Sequence, residues 1–353
     1  MNILFLEGDM SRRGGTERMT SILSNLLVNT HRVHVMSLHF QGEEIAFPLN
    51  PKVAHQVLRC LNGSSSLLKV VRELRKFVHV HGIDCIINVD TGMGIYGILA
   101  AVGSKTKVIT WEHSNFFNNW GSSKFPYLRR FAAKFSDAFV VLTEKDKRNY
   151  VDHIRTKVPI VVIPNPVEIH ESHYDLNSKT ILSAGMLVPI KGFDIATQVA
   201  KKVFSQRPDW KWVICGEGPE REHLEKLILQ EGLANNVFLP GNVVDMSDEY
   251  QHAAMFVLTS KMEGLPMVLL EAKSWGIPIV SFDIMTGPSD IIRDGENGFL
   301  VEPENVDVMV KKMLQLISDE ELRRSFADKS NLDLDKFSVE RVKEQWETVL
   351  KNL

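Results

Sequence analysis

Met255-Phe256-Val257-Leu258-Thr259-Ser260-Lys261-Met262-Glu263-Gly264-Leu265-Pro266-Met267-Val268-Leu269-Leu270-Glu271 passes from a short apolar run, through a turn, into helix-forming residues. Four apolar residues bounded by turn signals read as a buried strand. Gly264 permits a tight turn, and Pro266 suits the first position of a helix. A helix is therefore expected to begin just past Glu263, offering free N–H groups and a positive dipole end to an anion. Glu271 falls over a turn into that helix, so both carboxylates are expected to face a cleft. Composition alone favours a capped helix with two solvated acids.

The same strand-turn-helix rhythm extends in both directions. Before the midpoint, strands are expected at Ile3–Glu7, Val33–Leu38, Asp84–Asp90, Lys107–His113, Ala138–Thr143 and Ile160–Ile163. Helices are expected at Gly15–Asn29, Leu67–His81, Lys124–Phe135 and Glu144–His153. Pro164-Asn165-Pro166 then favours an extended connection. After it come strands at Thr180–Ala184, Lys211–Cys215, Val237–Leu239, Met255–Leu258, Ile277–Phe282 and Gly298–Val301. The helices between them are Phe193–Gln206, Pro219–Glu231, Pro266–Trp275 and Glu304–Ile317. Apolar strands alternating with helices imply parallel sheets covered on both faces. The expected class is α/β, with two facing Rossmann-like doubly wound domains, residues 1–166 and 167–337. A last helix, 338–353, follows a break at Asp333–Phe337 and is expected to cross back onto the first domain. Ligands of such sheets bind at the strands' carboxyl ends.

Bulk properties narrow the class. The 353 residues suit two domains. No run approaches the ~18 apolar residues of a membrane helix. Met1–Leu6 is followed at once by Glu7 and Asp9, unlike a signal peptide. Cys60, Cys85 and Cys215 form no metal or disulfide pattern and are expected to be small core residues. The expected location is cytoplasmic, extending to the inner face of the cell membrane. Residues 1–166 carry 21 Lys and Arg against 13 Asp and Glu, whereas the remainder carries 20 against 31. This asymmetry fits an anionic partner for the first half.

Several segments in fixed order resemble the family 4 retaining glycosyltransferases of GT-B fold. Glu263 to Glu271 resembles their E-x7-E motif, and Gly14-Gly15-Thr16-Glu17 their N-terminal GG-x-E turn. Trp111-Glu112-His113-Ser114-Asn115 is similar to the EHSN signature of members that build lipid-linked oligosaccharides and capsular or exopolysaccharides. Ile163-Pro164-Asn165-Pro166-Val167 resembles the interdomain linker. Ala184-Gly185-Met186-Leu187-Val188-Pro189-Ile190-Lys191-Gly192 resembles the phosphate-binding segment. Gly216-Glu217-Gly218-Pro219 and Thr286-Gly287-Pro288-Ser289-Asp290-Ile291-Ile292 also fit. The resemblance spans nearly the whole chain.

The resemblance implies transfer of a sugar, with retention, from a nucleotide diphosphate donor, a UDP-sugar by family frequency. The acceptor it implies is a polyprenyl-diphosphate-linked glycan. It assigns catalytic roles to His113, Glu263 and Lys191. Donor contacts fall to Gly14, Gly15, Gly185, Lys191, Gly216, Val243, Glu263, Gly264, Leu265, Pro266 and Glu271. Glu17, Arg12, Arg13 and Asn115 fall on the acceptor side. Neither metal nor cofactor is expected. Met186 stands where the family usually has Arg, so Lys191, backbone donors or Arg12, Arg13 and Arg18 would carry the diphosphate charge. A nucleotide-sugar epimerase of the same architecture and a catalytically weak nucleotide-binding partner protein are the rival readings.

Other patterns carry less. Asp333-Leu334-Asp335 copies a metal-binding D-x-D but sits in a break, where acids cap and solvate. His31, His34, His39, His79 and His81 lack zinc spacing. Gly216-Glu217-Gly218 lacks the third glycine of a dinucleotide fingerprint, because Arg221 stands there. The scattered basic residues match no nucleic-acid module. Lys124–Lys134, preceded by Phe116, Phe117 and Trp120, mixes aromatics with Lys124, Arg129, Arg130 and Lys134. That mixture fits either a sheet-packing helix or a surface resting on anionic lipid, with Arg129 and Arg130 toward the headgroups.

Overall fold

The computed structural model describes residues 1–58, 67–170 and 174–353, so Cys60 lies outside the described residues. The chain divides into two compact units, Met1–Asn165 with Glu340–Leu353, and Pro166–Val339.

In the first unit the order is β1 (Asn2–Glu7), α1 (Gly15–Leu27), β2 (Arg32–Ser37), β3 (Ala54–Val57), α2 (Leu67–His81), β4 (Cys85–Val89) and α3 (Thr91–Ala101). It continues with β5 (Lys107–Trp111), α4 (Phe125–Phe135), β6 (Ala138–Val141), α5 (Glu144–His153) and β7 (Ile160–Val162). The strands are parallel, in the order β3-β2-β1-β4-β5-β6-β7. Ile3, Leu4, Phe5 and Leu6 have no exposed surface, as a strand covered on both faces requires. Helix starts are locally encoded: Thr143 Oγ1 accepts from the Asp146 N–H at 3.0 Å, with Glu144 in the same turn favouring the dipole.

The second unit runs β8 (Thr180–Ala184), α6 (Phe193–Phe204), β9 (Lys211–Cys215), α7 (Arg221–Gln230), β10 (Val237–Gly241), α8 (Ser247–Gln251) and β11 (Met255–Leu258). Then come α9 (Met267–Ser274), β12 (Ile279–Phe282), α10 (Pro288–Ile291), β13 (Gly298–Val301), α11 (Val306–Ser318) and α12 (Glu320–Asp328). This sheet is also parallel, ordered β10-β9-β8-β11-β12-β13. α13 (Val339–Lys351) ends the chain, with Glu340–Leu353 belonging to the first unit. Its Trp346 meets the Trp111 ring at 5.0 Å, and Glu347 accepts from Thr30 Oγ1 at 2.7 Å.

Both sheets are doubly wound α/β layers, and their order reverses between β1 and β4 and between β8 and β11. The turns leaving those strands are where such sheets hold ligands. Some local expectations need correction. The helix after Glu263 starts only at Met267, with Pro266 at the cap rather than inside the first turn. The break at Asp333–Phe337 contains a short 3-10 turn, Leu334–Phe337. β3, α3, α8, α10 and α12 were not among the expected elements. Cys85 and Cys215 are buried free thiols. No helix among the described residues is long and apolar enough to cross a membrane.

Candidate functional site

In the second unit, three turns meet at the carboxyl edge of the sheet with little between them but backbone. Gly185 N–H donates to the Cys215 carbonyl at 2.9 Å, and Gly216 N–H to the Gly241 carbonyl at 2.8 Å. A Cβ on Gly216 would stand 1.9 Å from the Gly185 carbonyl oxygen, so only glycine lets these turns touch. Val243, in the turn after β10, is half-buried, while its neighbour Val244 is 81% exposed.

Lys191 ends a 3-10 turn, Pro189–Lys191, that is tied to the loop after β11. Lys261 N–H donates to the Ile190 carbonyl at 2.8 Å and Thr259 Oγ1 to the Lys191 carbonyl at 3.2 Å. The Lys191 ammonium thereby reaches Glu263, Nζ to Oε1 2.7 Å, with both side chains mostly buried. Leu265 anchors the following turn in the core at 5% exposure. Pro266 gives α9 no side-chain cap, which leaves the helix start to backbone N–H groups alone. Gly287, at φ 99°, packs on Pro266, and Thr286 Oγ1 donates to the Glu263 carbonyl at 2.6 Å. Glu271 lies deeper, 9% exposed, and accepts the Tyr250 hydroxyl at 2.6 Å. Met186 is 43% exposed and brings no charge.

The first unit gathers acids at its own carboxyl edge. Glu7 ends β1, 4% exposed, accepting from Gly8 N–H at 2.7 Å and Thr20 Oγ1 at 2.9 Å. Burial, then the Glu17 charge, pushes its carboxyl up to about 8. Asp90, beyond β4, adopts φ 73° and caps α3 through Gly92 N–H at 3.0 Å. Burial and then the Glu112 charge raise its pKa. Glu112 accepts from Ser114 N–H and Oγ, both at 2.9 Å, from Tyr150 at 2.9 Å, and from Thr91. It is thus the structural anchor of the Glu112–Asn115 turn. His113 packs against Trp111, ring centroids 4.1 Å apart and the planes tilted by 52°, and its buried Nε2 has no hydrogen-bond partner. Burial lowers His113 to about 3, so the imidazole is neutral at physiological pH. Asn115 is buried, its Oδ1 accepting from Phe117 N–H at 2.8 Å.

The turn after β1 behaves differently from a bare glycine cradle. The Cβ position of Gly14 lies 2.3 Å from Glu17 Oε2, so Glu17 folds back over its own helix start. Glu17 is 3% exposed and accepts from Thr16 Oγ1 at 2.9 Å. Gly15 faces open space. Arg12 and Arg13 are exposed, Arg12 Nε lying 3.9 Å from Glu17 Oε1.

The chain is similar to known proteins over most of its length. Residues 13–171 match the model described as Glycosyltransferase Family 4, and residues 167–332 that described as Glycosyl transferases group 1. An uncharacterized glycosyltransferase of Haemophilus influenzae is 32% identical, over 96% of each chain. The chain belongs to the glycosyltransferases, with the GT-B fold. The GalNAc-alpha-(1->4)-GalNAc-alpha-(1->3)-diNAcBac-PP-undecaprenol alpha-1,4-N-acetyl-D-galactosaminyltransferase of Campylobacter jejuni is 26% identical to this glycosyltransferase, over 98% of the chain and 97% of its own. The fold matches the Anabaena protein Alr3699/HepE, solved in complex with UDP, at TM-score 0.84, 18% identity and full coverage of both chains.

The structure brings Lys191 to Glu263 and aligns Gly185 with Gly216. It also supplies partners that sequence reading missed. Tyr250, 21 positions before Glu271, lies in no motif, and Thr91 and Tyr150 complete the Glu112 anchor from distant helices. Among the described residues, no group of three His, Cys, Asp or Glu is arranged to hold a metal ion. Asp333 instead pairs with Arg293 at 2.6 Å. The surface around α4 needs one correction. Arg129 is 2% exposed, donating to Asn119 Oδ1 at 3.0 Å and the Asn118 carbonyl at 2.6 Å between the rings of Phe116 and Phe125. It cannot reach a headgroup, because aromatic rings and amide oxygens already enclose its charge. Trp120, Lys124, Tyr127, Arg130, Lys134 and Phe135 form the exposed face.

Proposed function

We propose that this glycosyltransferase is a family 4 type enzyme that transfers a sugar, with retention and without a metal ion, from a UDP-sugar to a polyprenyl-diphosphate-linked glycan. The observation that carries this reading is Lys191, held at 2.7 Å from Glu263 beside the uncapped start of α9. A departing diphosphate accumulates negative charge, which a fixed ammonium and free helix N–H groups stabilise as it forms. Glu263 accepts hydroxyls of the donor sugar, and Glu271, already oriented by Tyr250, accepts those of the ribose. The Gly185–Gly216 floor, with Val243 beside it, admits the nucleotide without side-chain obstruction. His113 contributes a neutral imidazole with an unused nitrogen, suited to a sugar hydroxyl rather than to proton storage. The departing phosphate takes the acceptor's proton, so no separate base is required.

The Anabaena protein's UDP complex supports the choice of nucleotide, and the Campylobacter relative's undecaprenol-linked acceptor supports the acceptor class. The exposed aromatic and basic face around α4 supports contact with an anionic membrane surface, where such an acceptor resides. A thermal-shift panel of UDP, GDP and ADP, each with and without EDTA, tests the donor site. A ligand that binds the folded state raises the melting temperature by mass action. Stabilisation by UDP that survives EDTA is expected. No shift from any nucleotide at millimolar concentration would sink the donor-site reading.

A further inference from the structure

α9 carries a charge that the proposed chemistry does not use. Lys273, two residues past Glu271, is 2% exposed, and its Nζ donates to the Ile291 carbonyl at 2.7 Å. Among the described residues it makes no ion pair. Burial lowers its pKa to about 8, and Lys336 and Arg293 push the same way against Asp333. An apolar side chain of similar length would fill the same space without desolvating a charge, but would leave the Ile291 carbonyl without its donor. The buried cation is therefore committed to that one carbonyl.

Ile291 is the last residue of α10, and the preceding carbonyl, Asp290, accepts from Lys336 Nζ at 2.8 Å. Two lysines from different elements thus grip consecutive carbonyls at the negative end of this short helix. The other end of α10 abuts the donor turn. Thr286 Oγ1 donates to the Glu263 carbonyl at 2.6 Å. Gly287 fits so closely that a Cβ there would stand 2.3 Å from Pro266 Cδ and 3.1 Å from the Gly264 carbonyl oxygen. α10 is a wedge between Lys273 and the turn that presents Glu263.

We propose that Lys273 is a positioning residue that clamps the end of α10 and so fixes Glu263 and the start of α9 for the donor. This rests on the donor-site reading above. Lys273→Met and Lys273→Gln in the full chain test it, by UDP titration calorimetry, thermal melting and amide hydrogen exchange. Lys273→Met is expected to melt within a few degrees of wild type, the relieved charge desolvation offsetting the lost hydrogen bond. It binds UDP about tenfold more weakly, the scale of one lost buried hydrogen bond, and exchanges faster over residues 263–267 and 286–292. Lys273→Gln, whose amide donates to the same carbonyl, stays within about threefold of wild type. Unchanged exchange in Lys273→Met overturns the clamp, whatever the nucleotide result. So does a loss of UDP binding in both variants that merely follows a lowered melting temperature. A wild-type chain that binds no UDP removes the donor-site reading instead, and exchange alone then decides the clamp.

Discussion

Lys191 Nζ lies 2.7 Å from Glu263 Oε1, joining the turn after β8 to the turn after β11. The pair is mostly buried, so each partner neutralises a charge the other would leave poorly solvated. If the lysine stabilises the leaving diphosphate, Lys191→Met lowers kcat/KM by ~10²–10³, the cost of one preorganised electrostatic donor. Glu263→Gln lowers it less, because shape and one acceptor remain. Groups acting as a unit are non-additive, so the double variant is expected to lose much less than the product of the two single losses. Steady-state kinetics with the donor found by nucleotide screening provides the cycle. Strictly multiplicative losses would show that the two residues act separately.

Met186 offers a gain-of-function test. It occupies the turn just past Gly185, 43% exposed, where a longer cationic side chain displaces no core atom. Met186→Arg adds a charge beside the proposed diphosphate position. UDP affinity is expected to rise about tenfold, or ~1.4 kcal/mol. The gain shrinks with added salt, since a half-exposed charge is screened. Calorimetry at two salt concentrations checks both. Affinity indifferent to the substitution would place the diphosphate elsewhere.

The sequence made the strands legible because sheets covered on both faces demand unbroken apolar runs, as in Ile3–Leu6. It hid α3, whose Thr91–Ala101 stretch contains three glycines and so scores as a poor helix. Those glycines answer to packing instead. A Cβ on Gly97 would lie 1.9 Å from Asn88 Oδ1, and one on Gly94 2.9 Å from Ala132 Cβ. β3 was hidden because Ala54–Val57 is an edge strand without a buried face. Glu263 and Glu271 were readable as one motif, since their spacing is local, and Lys191 as part of a second, separate segment. Tyr250, Lys273 and the inward turn of Arg129 were not. Each depends on a partner from another element, and periodicity cannot tell which of two adjacent arginines points inward.

Opposed titrations predict the pH dependence of stability. Glu7 titrates near 8 when folded, against 4.5 when free. The folded state therefore holds a proton that the unfolded state releases, and stability falls as pH rises through that interval. Asp90 and Asp146, both raised mainly by burial, add to the same limb. His113, lowered from 6.5 to about 3, acts oppositely: its contribution is complete above 6.5 and is lost as pH falls toward 3. The melting temperature is expected to decline on both sides of a mildly acidic optimum. Glu7→Gln removes one carboxylate from the alkaline limb, flattening the decline between pH 6 and 9 by several degrees, at ~2–4 °C per kcal/mol. Parallel declines in the two proteins would show that Glu7 does not titrate in this range.

The face around α4 separates a surface role from a structural one. Lys124, Arg130 and Lys134 are exposed beside Tyr127, Trp120 and Phe135, which are 72%, 61% and 60% exposed. Basic groups near an anionic bilayer contribute ~1 kcal/mol each, and exposed aromatics insert at the boundary. Reversing Lys124, Arg130 and Lys134 to Glu is expected to cut binding to phosphatidylglycerol-containing vesicles at least a hundredfold, and to leave melting within a few degrees. Arg129→Gln is expected to do the reverse. It removes a buried charge that Asn118, Asn119, Phe116 and Phe125 surround, so it lowers melting while sparing vesicle affinity of the folded fraction. Flotation with and without the anionic lipid distinguishes the two. A triple variant that floats like the wild type would mean that this face packs against something other than a membrane.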